Sequence, residues 1–322
     1  MRLLHGLAAA GLLLCASAGV SNAADFPNRP ITLINPWAPG GPADIHLRAL
    51  AAQAEKVFKQ PVVVENKPGA GGTLGPATMA ATAKPDGYTI AELPVGIFAV
   101  PAMQKVSFDP AKDFTYIIHL TGYRFVTIVR NDAPWKTWQE LAAYGKENPG
   151  KLRYASTGTG GALHLGMEEI ARGAGFKMTH VPFRGASEQI AALLGGHVEV
   201  VPTGGLAFQL IESGQARPLL FWTEKRNAKF PDVPALADVG IKPQVDPNSP
   251  YGLGGPKGMD PAVVKILQDG FKQASETPEV MKTLDTIQQD YVYRSSEDYK
   301  AYALQQIEAY KKFIDELGLA KH

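Results

Sequence analysis

Twice in this chain an apolar run ends in a Gly-Gly turn that passes directly into an amphipathic helix. PITLINPW (Pro30–Trp37) reads as a strand, and APGGPAD turns the chain. Leu47, Leu50, Ala51, Ala54, Val57 and Phe58 then recur at helical spacing, with Arg48, Gln53, Glu55 and Lys56 on the other side. PVVVEN (Pro61–Asn66) is a second strand, PGAGG a turn, Leu74–Ala83 a helix, and the turn in PDGYTIAEL leads to a third strand. This order predicts a mostly parallel sheet covered by helices on both faces.

The rhythm restarts after FTYIIHLTGYRFVTIVR (Phe114–Arg130). WKTWQELAAYGKENPGK holds a helix capped by Thr137, and KLRYASTGTGGALHLGMEEIARGAG is again strand, Gly-rich turn and helix. MTHVPF, HVEVVPTG and RPLLFWTE are strands, and SEQIAALLGG is a helix ended by glycine. Beyond them, Asp260-Pro261 opens one helix, and Ser295 with Asp298 opens a long one, Ser295–Leu317. The expected organisation is two α/β lobes. Residues 24–121 plus 248–322 form a discontinuous first lobe, to which YGLGG (Tyr251–Gly255) returns as a strand, and residues 122–247 form the second.

The first 23 residues stand apart. MRLLHGLAAAGLLLCASAGVSNA has Arg2 and His5, a short Leu/Ala core and an A-x-A-like Ser21-Asn22-Ala23, the pattern of a cleaved signal peptide. Leu12–Leu14 before Cys15 lack the small residues of a lipidation site. Cleavage removes the single cysteine, and no later stretch is long and apolar enough to span a bilayer. A net charge of +1 without long charged runs argues against nucleic-acid and anionic-membrane partners. An exported protein is expected, with no direct membrane insertion.

The two junctions carry the functional signal. In the first, Trp37, Ala38, Pro39, Gly40, Gly41, Pro42 and Ala43 turn the chain onto a helix whose first position suits proline. In the second, Ser156, Thr157, Thr159, Gly160 and Gly161 do the same. Free N–H groups and the helix dipole favour an anion at such ends. A plain connecting loop is the competing reading for either junction alone. One in each lobe suggests facing jaws and a ligand with two separated negative ends. No G-K-[ST] follows the glycines and the dinucleotide spacing fails, so no cofactor is expected. G-x-S-x-G, H-E-x-x-H and cysteine pairs are missing and the seven histidines are scattered, which argues against an enzyme and against a metal site. Ser156 with His164 is a conceivable nucleophile–base pair, but a helix histidine bonded to a neighbouring strand is the simpler reading.

The blocks PNRPITLINPWAPGGPAD, QPVVVENKPGAGG, KPDGYTI, FDPAKDFTYI, NPGKLRYASTGTGGALHL, HVPFRG, LLGGHVEVV and FPDVPALADVG run through almost the whole mature chain. In this order they resemble the solute-binding proteins of tripartite tricarboxylate transporters, the TctC or Bug-type family. The resemblance implies a two-lobed type II periplasmic-binding-protein fold that closes on a small organic carboxylate in the periplasm. It also implies delivery to a membrane permease without chemistry, the ligand held by the two Gly-rich loops.

Departures from the family pattern bear on specificity. Thr203 and Gly204 stand where Asp-Asn is common, which removes a partner for a ligand ammonium and argues against an amino acid. Gly204 opens space, and Trp37 with Phe98 offers a flat wall for an aromatic ring. Arg184 in PFRGAS could meet a carboxylate bidentately, with a solvated surface arginine as the competing reading. The expected ligand is a dicarboxylate, aromatic or bulky in the manner of terephthalate. Citrate or an aliphatic diacid, a periplasmic sensor, and a secreted hydrolase are the alternatives.

Overall fold

The computed structural model describes residues 26–246 and 251–320, so the signal-peptide expectation lies outside them. The first half runs β1 (Ile31–Asn35), α1 (Pro42–Phe58), β2 (Val62–Asn66), α2 (Leu74–Thr82), β3 (Thr89–Leu93), α3 (Gly96–Met103) and β4 (Phe114–Tyr123). The middle adds β5 (Val126–Arg130), α4 (Trp138–Glu147), β6 (Arg153–Ser156), α5 (Ala162–Gly173), β7 (Thr179–Pro182), α6 (Ala186–Leu194), β8 (Val200–Thr203), α7 (Leu206–Glu212) and β9 (Ala216–Phe221). The last part is β10 (Tyr251–Pro256), α8 (Pro261–Ser275), α9 (Pro278–Thr286), β11 (Gln289–Arg294) and α10 (Ser296–Leu317).

Two sheets result, in the orders β11-β4-β10-β3-β1-β2 and β7-β6-β8-β5-β9. Both are mixed rather than mostly parallel. β1 is parallel to β2 and β3, but β10 lies antiparallel between β3 and β4, and β11 is antiparallel to β4. β6 is parallel to β7 and β8, while β5 is antiparallel to β8 and β9. The antiparallel strands flank the places where the chain changes sheets: β4 leaves the first sheet, β5 enters the second, and β10 returns. The first crossing falls between Tyr123 and Val126, beyond the expected boundary at 121/122, because Thr121, Gly122 and Tyr123 still pair with β11. The boundary expected at 247/248 lies outside the described residues.

Burial explains the layers. Leu47, Leu50, Ala54 and Phe58 of α1 pack with Ile31, Leu33 and Ile90 of the sheet and with Val263, Leu267 and Phe271 of α8. A side chain on Gly270 would meet the Phe58 ring at 2.2 Å, so glycine lets these helices approach. On the other face Tyr299, Ala303, Tyr310, Phe313 and Ile314 of α10 join the core formed with Leu93, Ile97, Phe98 and Tyr116. The second lobe fills around Trp138, Tyr154, Met167, Ile170 and Trp222. Helix starts follow the caps read from the sequence. Thr137 accepts from Glu140 N at 3.2 Å, Asp260 from Ala262 N at 2.8 Å and Ser295 from Asp298 N at 3.2 Å.

Candidate functional site

The first loop is tied by one buried aspartate. Asp44 Oδ2 accepts from Gly40 N and Arg48 Nε, both at 3.0 Å, and its Oδ1 accepts from Asn35 Nδ2 at 3.1 Å and Asn66 Nδ2 at 2.8 Å. Asn35 Oδ1 takes the Trp37 N–H at 3.1 Å, and Asn66 donates to Trp37 O at 3.0 Å. Burial pushes the Asp44 carboxyl up, but Arg48, the Gly40 N–H and Asn66 together hold it below its ordinary value. With the aspartate turned back into the loop, no side chain caps α1 at Gly41. Its opening residues Gly41, Pro42 and Ala43 form part of a cavity wall instead.

The second loop is shaped by buried Ser156 and His164 with half-buried His180. Ser156 Oγ accepts from Gly158 N at 3.0 Å and lies 2.5 Å from His180 Nε2. His164 Nδ1 accepts from Gly160 N at 3.1 Å, and the two imidazoles are 4.2 Å apart. Burial holds His164 down at about 4, and burial plus the neighbouring His164 hold His180 at about 3, so both are neutral. Ser156 therefore pairs with His180 rather than His164, and it is fully buried. Its role is to fix the turn.

Between the lobes lies a cavity. Trp37, Gly41, Pro42 and Ala43 from the first junction, Thr157 from the second, and Thr203 and Gly204 at the end of β8 all line it. Helices α1, α3, α5 and α6 open on it with their first residues, Pro42, Gly96, Ala162 and Ala186. Four positive dipole ends therefore converge there. Among the described residues the wall contains no lysine, arginine or histidine. Thr203 is 1% exposed and its Oγ1 has no hydrogen-bond partner among the described residues, so a wall hydroxyl remains available to a guest.

The other expected contacts lie elsewhere. Ala38, Pro39 and Gly40 form a seam between the lobes. Ala38 N donates to Arg184 O at 3.3 Å, Ser187 Oγ donates to Pro39 O at 3.4 Å, and a Cβ on Gly40 would lie 3.4 Å from Ser187 Oγ. Thr159, Gly160 and Gly161 continue that seam against the first lobe. A Cβ on Gly71 would meet Thr159 O at 2.4 Å and Gly161 N at 3.4 Å, and one on Gly160 would meet Val100 at 2.6 Å. The lobes are thus in contact around the cavity mouth, a closed arrangement. Arg184 does not line the cavity; its exposed side chain donates from Nε to Glu188 at 2.9 Å. Phe98 is no wall residue: it is 2% exposed, in the first-lobe core, with its ring 6.5 Å from Tyr116.

The aromatic wall is instead Trp37 with Tyr123, Phe125 and Tyr251. Tyr123 stacks on Phe125 at 5.2 Å and lies 5.1 Å from Tyr251. Behind Trp37, its indole Nε1 donates to Glu92 Oε1 at 2.9 Å.

The family described as the tripartite tricarboxylate transporter family receptor (TctC) matches residues 46–319. The chain belongs to this receptor family. It is 44% identical over 314 residues to the "UPF0065 protein in gbd 5'region" of Cupriavidus necator, covering 98% of this chain and 95% of that one. The periplasmic binding protein BugD superposes with a TM-score of 0.85 at 28% identity, covering 92% of this chain and 100% of that chain. R. palustris Rpa4515, solved with adipate, gives 0.84 at 26% identity, covering 92% and 99%. The matching family is one of receptors, and the shared fold is that of periplasmic binding proteins.

In this TctC receptor, sequence reasoning missed Tyr123, Phe125 and Tyr251. They sit where the chain passes between the sheets: Tyr123 ends β4, Phe125 precedes β5, and Tyr251 opens β10. An aromatic pair flanking such a passage, Tyr123-Arg124-Phe125, is a usable signal once the passage is placed two residues later.

Proposed function

We propose that the protein is a periplasmic receptor that captures a small dicarboxylate with an aromatic or bulky body, of the terephthalate type, and passes it to a tripartite membrane permease. One observation carries this reading. Four helix N-termini converge on an inter-lobe cavity whose sides are aromatic and whose lining, among the described residues, has no charged side chain. Backbone N–H groups and dipole ends supply the hold on the anion, and Trp37, Tyr123, Phe125 and Tyr251 supply flat apolar contact. One carboxylate would lie at Trp37–Ala43, the other beside Thr157 and the start of α5.

Thr203 and Gly204 on the wall offer no counter-charge to an ammonium, which speaks against an amino acid. The adipate-bound relative supports an aliphatic diacid as the second reading. A thermal-shift screen of mono-, di- and tricarboxylates tests the proposal, because a ligand of the folded state raises its melting point. Aromatic diacids should give the largest rise. A rise only with amino acids, or none with any carboxylate, would reject it.

A further inference from the structure

Behind the Trp37 wall of this cavity lies one buried acid. Glu92 sits on β3 with no exposed surface, and Trp37 Nε1 donates to its Oε1 at 2.9 Å. Its Oε2 has no partner among the described residues. The groups close enough to interact with it are Tyr123 of β4, Tyr251 of β10 and Tyr299 of α10, each kept as a neutral phenol by burial. His46 of α1, 2.8 Å from the Tyr251 hydroxyl, is held neutral in the same way. Among the described residues no cation faces the acid. The Trp37 indole is confined on its far side too, since a Cβ on Gly72 would meet that ring at 2.7 Å.

We infer that Glu92 is a positioning residue for anion capture. Uncharged, it holds the Trp37 indole against the cavity; as a carboxylate it sets an unpaired negative charge behind that wall and weakens the hold on the ligand. The inference rests on the carboxylate-receptor reading above. A carboxyl with one oxygen bonded by an N–H, the other unpartnered, and no counter-charge is far better tolerated protonated than ionised. Burial accordingly pushes Glu92 up to about 8, against the opposing pull of the Trp37 hydrogen bond. At neutral pH no charge on Glu92 then opposes the helix N-termini. As the pH rises past that value the wall itself becomes anionic.

The test is calorimetry with terephthalate and with adipate on the wild type and Glu92→Gln, between about pH 6 and 9.5. Gln keeps an acceptor for Trp37 but cannot ionise. Wild-type affinity should fall about tenfold per pH unit above about 8, and the variant should stay flat. Equal falls, or two flat profiles, overturn the inference, as does a folded variant that binds neither probe. If the wild type binds neither probe at any pH, the terephthalate and adipate readings of the ligand have failed. Glu92 is then judged on ligand-free protein through the ¹⁵N-labelled indole N–H resonance of Trp37, assigned by its loss in Trp37→Phe. It should titrate with a midpoint near about 8 in the wild type. If Glu92→Gln does not fold, that wild-type titration decides, and a resonance that does not move overturns the inference.

Discussion

Gly185→Ala isolates the contribution of lobe closure. Gly185 has φ of −177°, extended backbone that any residue adopts, so alanine there strains neither lobe by itself. Its added methyl would lie 2.8 Å from Ala38 Cβ, 3.1 Å from Ala38 N and 3.4 Å from Ala38 Cα, across the seam. Carbon pairs prefer about 3.5–4.0 Å, so the lobes must part by most of an ångström. That movement disrupts the Ala38 N–H to Arg184 O bond of 3.3 Å and the Ser187 to Pro39 bond of 3.4 Å. Overpacking of this kind costs about 1–3 kcal/mol, and here only the closed, ligand-holding state pays it. Affinity for a carboxylate ligand should therefore fall by roughly 5- to 150-fold, while the ligand-free melting temperature stays unchanged. The Ala38→Gly, Gly185→Ala pair should recover part of the loss, because the 2.8 Å contact disappears. Calorimetry and a ligand-free melt check it. Unchanged affinity, or an equal drop in ligand-free stability, would refute the argument that this contact belongs to the closed state.

Three further outcomes are expected. Thr203→Asp puts a carboxylate on the cavity wall at a 1% exposed position. It should weaken carboxylate binding at least tenfold by like-charge repulsion, an effect of about 1.4 kcal/mol or more; unchanged calorimetry would remove Thr203 from the site. Gly270→Ala should lower stability by about 1–3 kcal/mol in urea unfolding, since its methyl would meet Phe58 at 2.2 Å. An unaltered midpoint would contradict that packing. His164 at about 4 and His180 at about 3 lie below the ordinary imidazole value of 6.5. Between these values the unfolded chain takes up protons that the fold refuses. The stability they contribute is complete above about pH 6.5 and is lost as pH falls toward the folded values. Urea midpoints should drop from pH 7 to pH 5, by less in His180→Asn, and equal drops would count against the imidazole pair.

Much of this fold could be read from local patterns. Apolar periodicity found α1, α5, α8 and α10, and short-range side-chain caps at Thr137, Asp260 and Ser295 marked helix starts, because those signals lie within a few residues of what they specify. β11 escaped notice. QDYVYR has no apolar run, and it is held as an edge strand by long-range bonds such as Thr121 Oγ1 to Asp290 O at 2.6 Å and His119 Nδ1 to Val292 O at 2.7 Å. The mixed strand directions were equally hidden, since they depend on where the returning β10 inserts. At the site, the glycine junctions announced themselves through composition. Which of their residues face the cavity did not, because that depends on how the lobes meet. Ala38 and Gly158 belong to inter-lobe contacts, whereas Gly41 and Thr157 face inward. Phe98 and Tyr123 show the same limit. Both are aromatic residues in apolar segments, yet only the tertiary arrangement puts the first in the core and the second on the wall.

The central claim is that one carboxylate guest is gripped from both lobes inside this cavity. A crystal structure of the protein with terephthalate, or with whichever carboxylate most raises its melting point, tests this most directly. The guest's oxygens should lie within hydrogen-bond distance of backbone N–H groups at Gly41–Asp44 and around Thr157–Leu163, with its body against Trp37 and Tyr123. A guest bound through one lobe alone, or outside the cavity, would contradict the account.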